Sequence, residues 1–166
     1  MPIENAVAEA LNAQMGRELE AHLQYLSVSS WFDAEGLPEL HRFFAAQAAE
    51  EHSHAMKFLT YIQAAGGRVA IPGLAAPKAD FESAEDAVQA SLDWEVSVTG
   101  HINDLVDLAI GHRDHATQAF LQWFVTEQVE EVATMTELLQ VTRRAGEANL
   151  LLLEDYVARS AATPGD

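Results

Sequence analysis

The chain has 166 residues and no cysteine, which fits one ordinary domain and excludes disulfides, zinc–thiolate sites, iron–sulfur clusters and thiol redox chemistry. Its 26 acidic residues against 9 basic ones give a formal charge of −17, which repels phosphate backbones and attracts cations. Nucleic acid is therefore not an expected partner.

At 49% hydrophobic residues the chain is too apolar for a disordered acidic segment. No apolar run nears the roughly 20 residues needed to span a bilayer. The start, Met1-Pro2-Ile3-Glu4-Asn5, has neither the basic residues nor the apolar stretch of a secretion signal. A cytoplasmic protein with no membrane partner is expected.

Glycine and proline cluster, and the long stretches between the clusters read as helices. The first is expected over about 4–33, before the turn at Asp33-Ala34-Glu35-Gly36-Leu37-Pro38. Pro38 suits the first position of a second helix, about 38–65, which Gly66-Gly67 stops. Pro72, Gly73 and Pro77 keep the segment 66–82 out of helix. Ser83, with Asp86 three residues on, starts a third helix over about 83–111. Asp114 caps a fourth, about 115–145, whose last turn carries Arg143 and Arg144 before Gly146. A short fifth helix is expected over about 148–160, with a loose tail from Ala162.

Apolar spacing supports these elements. The first helix carries the stripe Val7, Leu11, Gln14, Glu18, His22, Tyr25, Ser29, Phe32, and the second Leu40, Phe44, Gln47, Glu51, His54, Phe58, Ile62. The third carries Val88, Ser91, Glu95, Val98, Ile102, Leu105, Ala109, and the fourth Leu121, Phe124, Gln128, Glu131, Met135, Leu138. Steps of three and four residues mark the inward seam of a helix bundle. The connection 66–82 could stretch about 50 Å at roughly 3.3 Å per residue. That exceeds the roughly 42 Å length of a 28-residue helix. The expected fold is all-α: a four-helix bundle with one long crossover and a short fifth helix, in a single domain over residues 1–166.

What interrupts each seam is informative. Glu18, Glu51 with His54, Glu95, and Gln128 with Glu131 occupy inward positions on four different helices. The first polar group of each lies roughly 18 to 21 Å along its helix, so every helix brings a carboxylate to mid-bundle, whichever way it points. Such groups in one dry layer repel each other and cost several kcal/mol each in desolvation. The seams hold no lysine or arginine to compensate, and a bound cation does. Glutamate and histidine without cysteine suit a first-row metal, with iron or manganese pairs fitting better than calcium. Five ligand groups plus Gln128 exceed what one ion needs, so two ions sharing a bridging carboxylate are expected.

One Glu from each of two helices and Glu-x-x-His from each of the other two is the ferritin-like di-iron pattern. Glu18, Glu95 and Glu51-His52-Ser53-His54 match it, while the fourth helix offers Gln128-Val129-Glu130-Glu131 instead of a second Glu-x-x-His. The chain resembles the bacterial non-heme ferritins, especially the actinobacterial kind, over nearly its whole length. The resemblance is carried by Leu11-Asn-Ala-Gln-Met-Gly-Arg-Glu18, Ala49-Glu-Glu-His-Ser-His54, Phe120-Leu-Gln-Trp-Phe-Val-Thr-Glu-Gln-Val-Glu-Glu131 and the helix after Ala145-Gly146.

The resemblance implies one iron on Glu18, Glu51 and His54, and a second on Glu51, Glu95 and Glu131 with Gln128 close by. It implies a third iron site at Glu50, Glu127 and Glu130, with Glu131 able to turn between sites. Tyr25 and Trp123 would be electron donors that limit radical damage. Heme-binding bacterioferritins carry a methionine where this chain has His52, which counts against heme, and Met56 one turn on does not replace it. His22, His52, His101, His112 and His115 show no ligand spacing and are expected at the surface, the core edge or subunit contacts.

The implied function is that of a ferroxidase and iron store, a homo-oligomeric shell of twenty-four subunits that takes Fe(II) and oxygen or hydrogen peroxide. Leu150 to Leu153 would bury an apolar face of the fifth helix at a subunit contact, or against its own bundle. Two other readings compete. A rubrerythrin-type oxidase or peroxidase would use the same bundle without storage, but its second Glu-x-x-His and cysteine-rich domain are absent here. A metal-free helical module would use polar groups to set register, for which one or two suffice.

Overall fold

The computed structural model describes residues 3–162 and is built from helices α1 (Asn5–Ala34), α2 (Pro38–Ala64), α3 (Ala84–Gly111), α4 (His115–Ala145) and α5 (Leu150–Ala162). A 3-10 turn, Glu147–Asn149, precedes α5. The tail beyond Ala162, expected to be loose, lies outside the described residues. Helix α1 packs along α2 and against α3, and α3 along α4, with α5 across the α2 and α4 ends. This is the expected bundle.

The turns follow local chemistry. Gly36 adopts φ 74°, and the Leu37 amide then reaches back to the Phe32 carbonyl at 3.0 Å, closing α1 just before Pro38 opens α2. Ser83 Oγ accepts from the Asp86 amide at 3.0 Å. Asp86 does not return the bond to Ser83, however; its Oδ2 takes the Glu82 amide at 3.1 Å and the Lys78 ammonium at 3.0 Å. The α3–α4 turn places a non-glycine residue, Arg113, at φ 56°, while Gly111 still lies within α3.

The crossover 66–82 runs back along α1, held by side chains of that helix. Asn12 donates to the Arg68 carbonyl at 2.9 Å and accepts from the Ala70 amide at 2.8 Å. Further along, Glu20 takes the Ala75 amide, and Gln24 both takes the Lys78 amide and donates to the Lys78 carbonyl. Where the strap crosses, Gly16 is buried under Pro72, whose Cγ would lie 2.3 Å from a Cβ at residue 16.

The core is divided in two. Val28, Phe32, Leu40, Phe44, Val88, Met135 and Leu139 form one apolar cluster, topped by Leu153 and Val157 of α5. Val7, Leu11, Met15, Phe58, Ile62, Ile102, Leu121 and Phe124 form the other. The polar seam residues lie between them. Two seam positions, His22 and Gln47, sit at the rim and are half-buried rather than inside.

Helix α5 settles two-sidedly. Leu153 and Val157 dock on the helix's own bundle, whereas Leu151 is 78% and Leu152 64% exposed. The buried Glu154 ties α5 to the start of α2, where its carboxylate accepts the Glu39 amide at 2.6 Å. An acid at a helix N-terminus is stabilising in itself.

Gly16→Ala is expected to cost about 1 to 3 kcal/mol, because the strap must lift off α1 to admit the methyl group. Thermal unfolding of the metal-free protein checks this, and an unchanged midpoint would show that the strap is not fixed there.

Candidate metal centre

Four helices bring their mid-span polar groups into one layer. Glu18 of α1, Glu51 and His54 of α2, Glu95 of α3, and Gln128 and Glu131 of α4 are each no more than 4% exposed. Among the described residues, Glu18, Glu51 and His54 form one donor group and Glu51, Glu95 and Glu131 another, the ligand atoms of each lying within 4.8 Å of one another. Glu51 belongs to both. Two donor groups joined by one carboxylate are thus brought together by the four helices.

The hydrogen bonds show which donors are held and which are open. Tyr25 donates its hydroxyl to Glu95 Oε1, and Gln128 Nε2 donates to Glu95 Oε2 at 3.2 Å. The same Gln128 amide reaches the Glu95 carbonyl and Thr99 Oγ1, both at 3.2 Å. Glu18 is held on one oxygen, by Gln14 Nε2 at 2.8 Å, and Arg17 in turn donates to Gln14 Oε1 at 3.1 Å. The other oxygen, Oε2, has no hydrogen-bond partner, and neither has His54 Nδ1. These two orphaned atoms face each other at 3.9 Å, with Glu51 Oε2 3.4 Å from the same nitrogen. Buried polar atoms left open are costly, and a cation between them supplies the missing partner. The donor set of carboxylate oxygens and one imidazole nitrogen fits iron.

A lateral group adjoins the pair. Glu50, His54, Glu127 and Glu131 present donor atoms within 4.8 Å of one another, with His54 Nε2 3.9 Å from Glu127 Oε1. His54 therefore faces the central pair with one nitrogen and the lateral group with the other. Glu130, expected in this group, is exposed and enters none of the donor groups; its charge acts on Glu127 from outside. Trp123 is 41% exposed, and its ring lies edge-on to His54 at 5.3 Å with the Lys57 ammonium 4.4 Å over its face.

The electrostatics follow from burial. Burial first, and then Glu51, pushes the Glu18 carboxyl well above the usual range. Burial and Glu95 do the same to Glu51. Glu95 is raised by burial, although the bonds from Tyr25 and Gln128 hold it back. Burial and Glu95 push Glu131 up to about 9. The Tyr25 phenol, raised by burial and by Glu95, stays a proton donor. Burial thus favours the protonated carboxyls in an empty layer, Glu131 above all, and an entering cation competes with protons there.

Sequence reasoning missed Gln14, Arg17 and Thr99 as supports, and His54 as a member of the lateral group. Helical spacing carried part of the signal: Gln14 precedes Glu18 by four residues, Thr99 follows Glu95 by four, and Glu50 precedes His54 by four. Of the remaining histidines, His112 pairs with Glu4 at 2.6 Å, and His101 is half-buried with Nδ1 unpartnered.

Residues 8–145 match the family described as Ferritin, ferritin-like domain. The chain is 41% identical over 152 residues to a protein named Ferritin BfrB from Mycolicibacterium smegmatis, covering 92% of this chain and 83% of that one. It is 34% identical over 157 residues to a Campylobacter jejuni protein named bacterial non-heme ferritin, covering 94% of each. Its fold is similar to an open-pore ferritin from the archaeon Archaeoglobus fulgidus, with a TM-score of 0.91, 36% identity, and 93% and 96% of the two chains covered.

Glu131 illustrates the cost of the empty layer. Its folded carboxyl titrates near 9, far above the unfolded value of about 4.3, so its folded form holds a proton that the unfolded chain has lost. The stability this group contributes is therefore lost as pH rises between those values. Glu131→Gln is expected to raise the metal-free melting temperature over wild type, with a gap that widens from pH 5 to pH 9. A gap that stays constant across that range would contradict the assignment.

Proposed function

The chain belongs to the ferritin family, and on that premise we propose that it oxidises Fe(II) at the buried carboxylate layer and passes the ferric product to a mineral store. The observation that carries this is the pair of donor groups sharing Glu51. Side by side, two Fe(II) give up two electrons together. With two protons these reduce dioxygen to hydrogen peroxide, or hydrogen peroxide to water, without releasing one-electron oxygen radicals.

In this reading Glu18 and His54, with their open atoms, receive one iron, and Glu51 bridges to the second, held by Glu95 and Glu131. Gln128 and Tyr25 keep Glu95 oriented. The carboxyl protons displaced on binding lie where the oxidant is reduced. Oriented dipoles and charges in a dry site act strongly there. Glu50 and Glu127, with His54 and Glu131, form a lateral third site through which product leaves the pair, and Glu130 stands at its solvent edge. Trp123 against His54 and Tyr25 against Glu95 are the aromatic side chains placed to donate an electron. His52 in the place of a methionine supports a protein without heme.

A single bundle stores little mineral, so the reading includes assembly of the 166-residue domain into a shell of twenty-four subunits. The exposed Leu151 and Leu152, beside a helix face already docked on its own bundle, support a subunit contact there. No helix among the described residues is long and apolar enough to cross a membrane. A cytoplasmic store is the proposed setting.

Glu18→Ala and His54→Ala should each slow the initial Fe(II) oxidation by at least about 100-fold while the apo bundle stays folded. Stopped-flow oxidation with circular dichroism on the same samples checks this. Wild-type initial rates in both variants would refute the reading.

A further inference from the structure

His22 on α1 and His52 on α2 meet outside the carboxylate layer. Their ring centres lie 5.5 Å apart with planes tilted by 59°. Neither residue belongs to the acidic donor groups. The backbone fixes the tautomer of His22. Its Nδ1 lies 2.7 Å from the Ala48 carbonyl, which can only accept, so Nδ1 carries the proton and Nε2 keeps its lone pair. An imidazole that donates from one nitrogen to a backbone carbonyl is oriented at the other, as in metal-ligating histidines. Ala48 stands one helical turn before His52, so the stretch of α2 that holds the His22 ring also presents its companion. On the single chain His52 is exposed and His22 half-buried.

Two imidazoles bound at about 2.0 Å to one ion, at a roughly tetrahedral angle, place their ring centres roughly 5 to 5.5 Å apart. The observed separation matches. We propose that His22 and His52 form a second metal site, a two-imidazole site for a borderline divalent cation, Zn(II) or Cu(II), separate from the iron-handling layer. Two imidazoles with no carboxylate suit these ions, whereas the carboxylate layer suits harder ones. Water completes the coordination, and the acidic surface raises the local cation concentration. The inference is independent of the oxidase reading.

Cu(II) electron paramagnetic resonance on the full, iron-free chain is the test. It is run in a His54→Ala background, which removes the one imidazole of the carboxylate layer. One Cu(II) per chain is expected to show coupling to two nitrogens. His22→Asn keeps an amide donor for the Ala48 carbonyl but has no Nε2, so the local fold is retained while the ligand is lost. That variant and His52→Ala should each abolish the two-nitrogen pattern and weaken Cu(II) binding by roughly tenfold or more. Persistence of the pattern in either variant, or its absence from the parent, overturns the proposal. With His54 in place, both variants should oxidise Fe(II) at the wild-type initial rate; a loss there would place the pair within the iron machinery and overturn its separateness.

Discussion

Four glutamates and a histidine share one layer of the bundle, and the nitrogen donor beside the acids there is that histidine, not a lysine or arginine. Desolvation makes their charged forms expensive when the layer is empty. It also makes their attraction for a cation strong when the layer is filled. The two apolar clusters on either side supply the cohesion this layer lacks, with Phe32 stacked on Phe44 at 5.4 Å above and Phe58 against Phe124 at 4.3 Å below. Helix length serves the same end, because each cluster fills about half of every rod.

Within the layer the donors differ in freedom. Glu95 is fixed on both oxygens, Glu18 on one, and His54 Nδ1 on neither side. Fixed donors set a geometry, and open ones admit and release a cation. Arg17 contributes at one remove: it orients the Gln14 amide, so that a donor and not an acceptor meets Glu18. The same distinction applies to protons. Glu131, raised to about 9, has a proton that a cation would displace, whereas the raised Tyr25 phenol stays a donor to Glu95.

The fold was legible because helix periodicity is local. Steps of three and four residues placed Glu18, Glu51, His54, Glu95, Gln128 and Glu131 inside without knowledge of the register between helices, since mid-helix groups meet in any antiparallel packing. What needed register was not legible. His22 and His52 lie thirty residues apart on different helices, and their contact depends on how α1 and α2 are staggered. Glu130 and Glu127 are three residues apart on α4, yet the small rotation between them puts Glu127 beside His54 and Glu130 in solvent. Hydrogen-bond direction was equally hidden: spacing placed Gln128 near Glu95 but not its amide on the Glu95 carboxylate. The run Leu150 to Leu153 left open whether α5 docks inward or outward, and its leucines divide between the two.

In the proposed function a pair of iron ions takes the place of protons that burial favours on the metal-free layer. Anaerobic titration of the iron-free chain with Fe(II) in a pH-stat at pH 7 measures both quantities at once. Two tightly bound Fe(II) per chain, each accompanied by released protons, is the predicted result. Saturation without proton release, or no saturable binding at all, would contradict it.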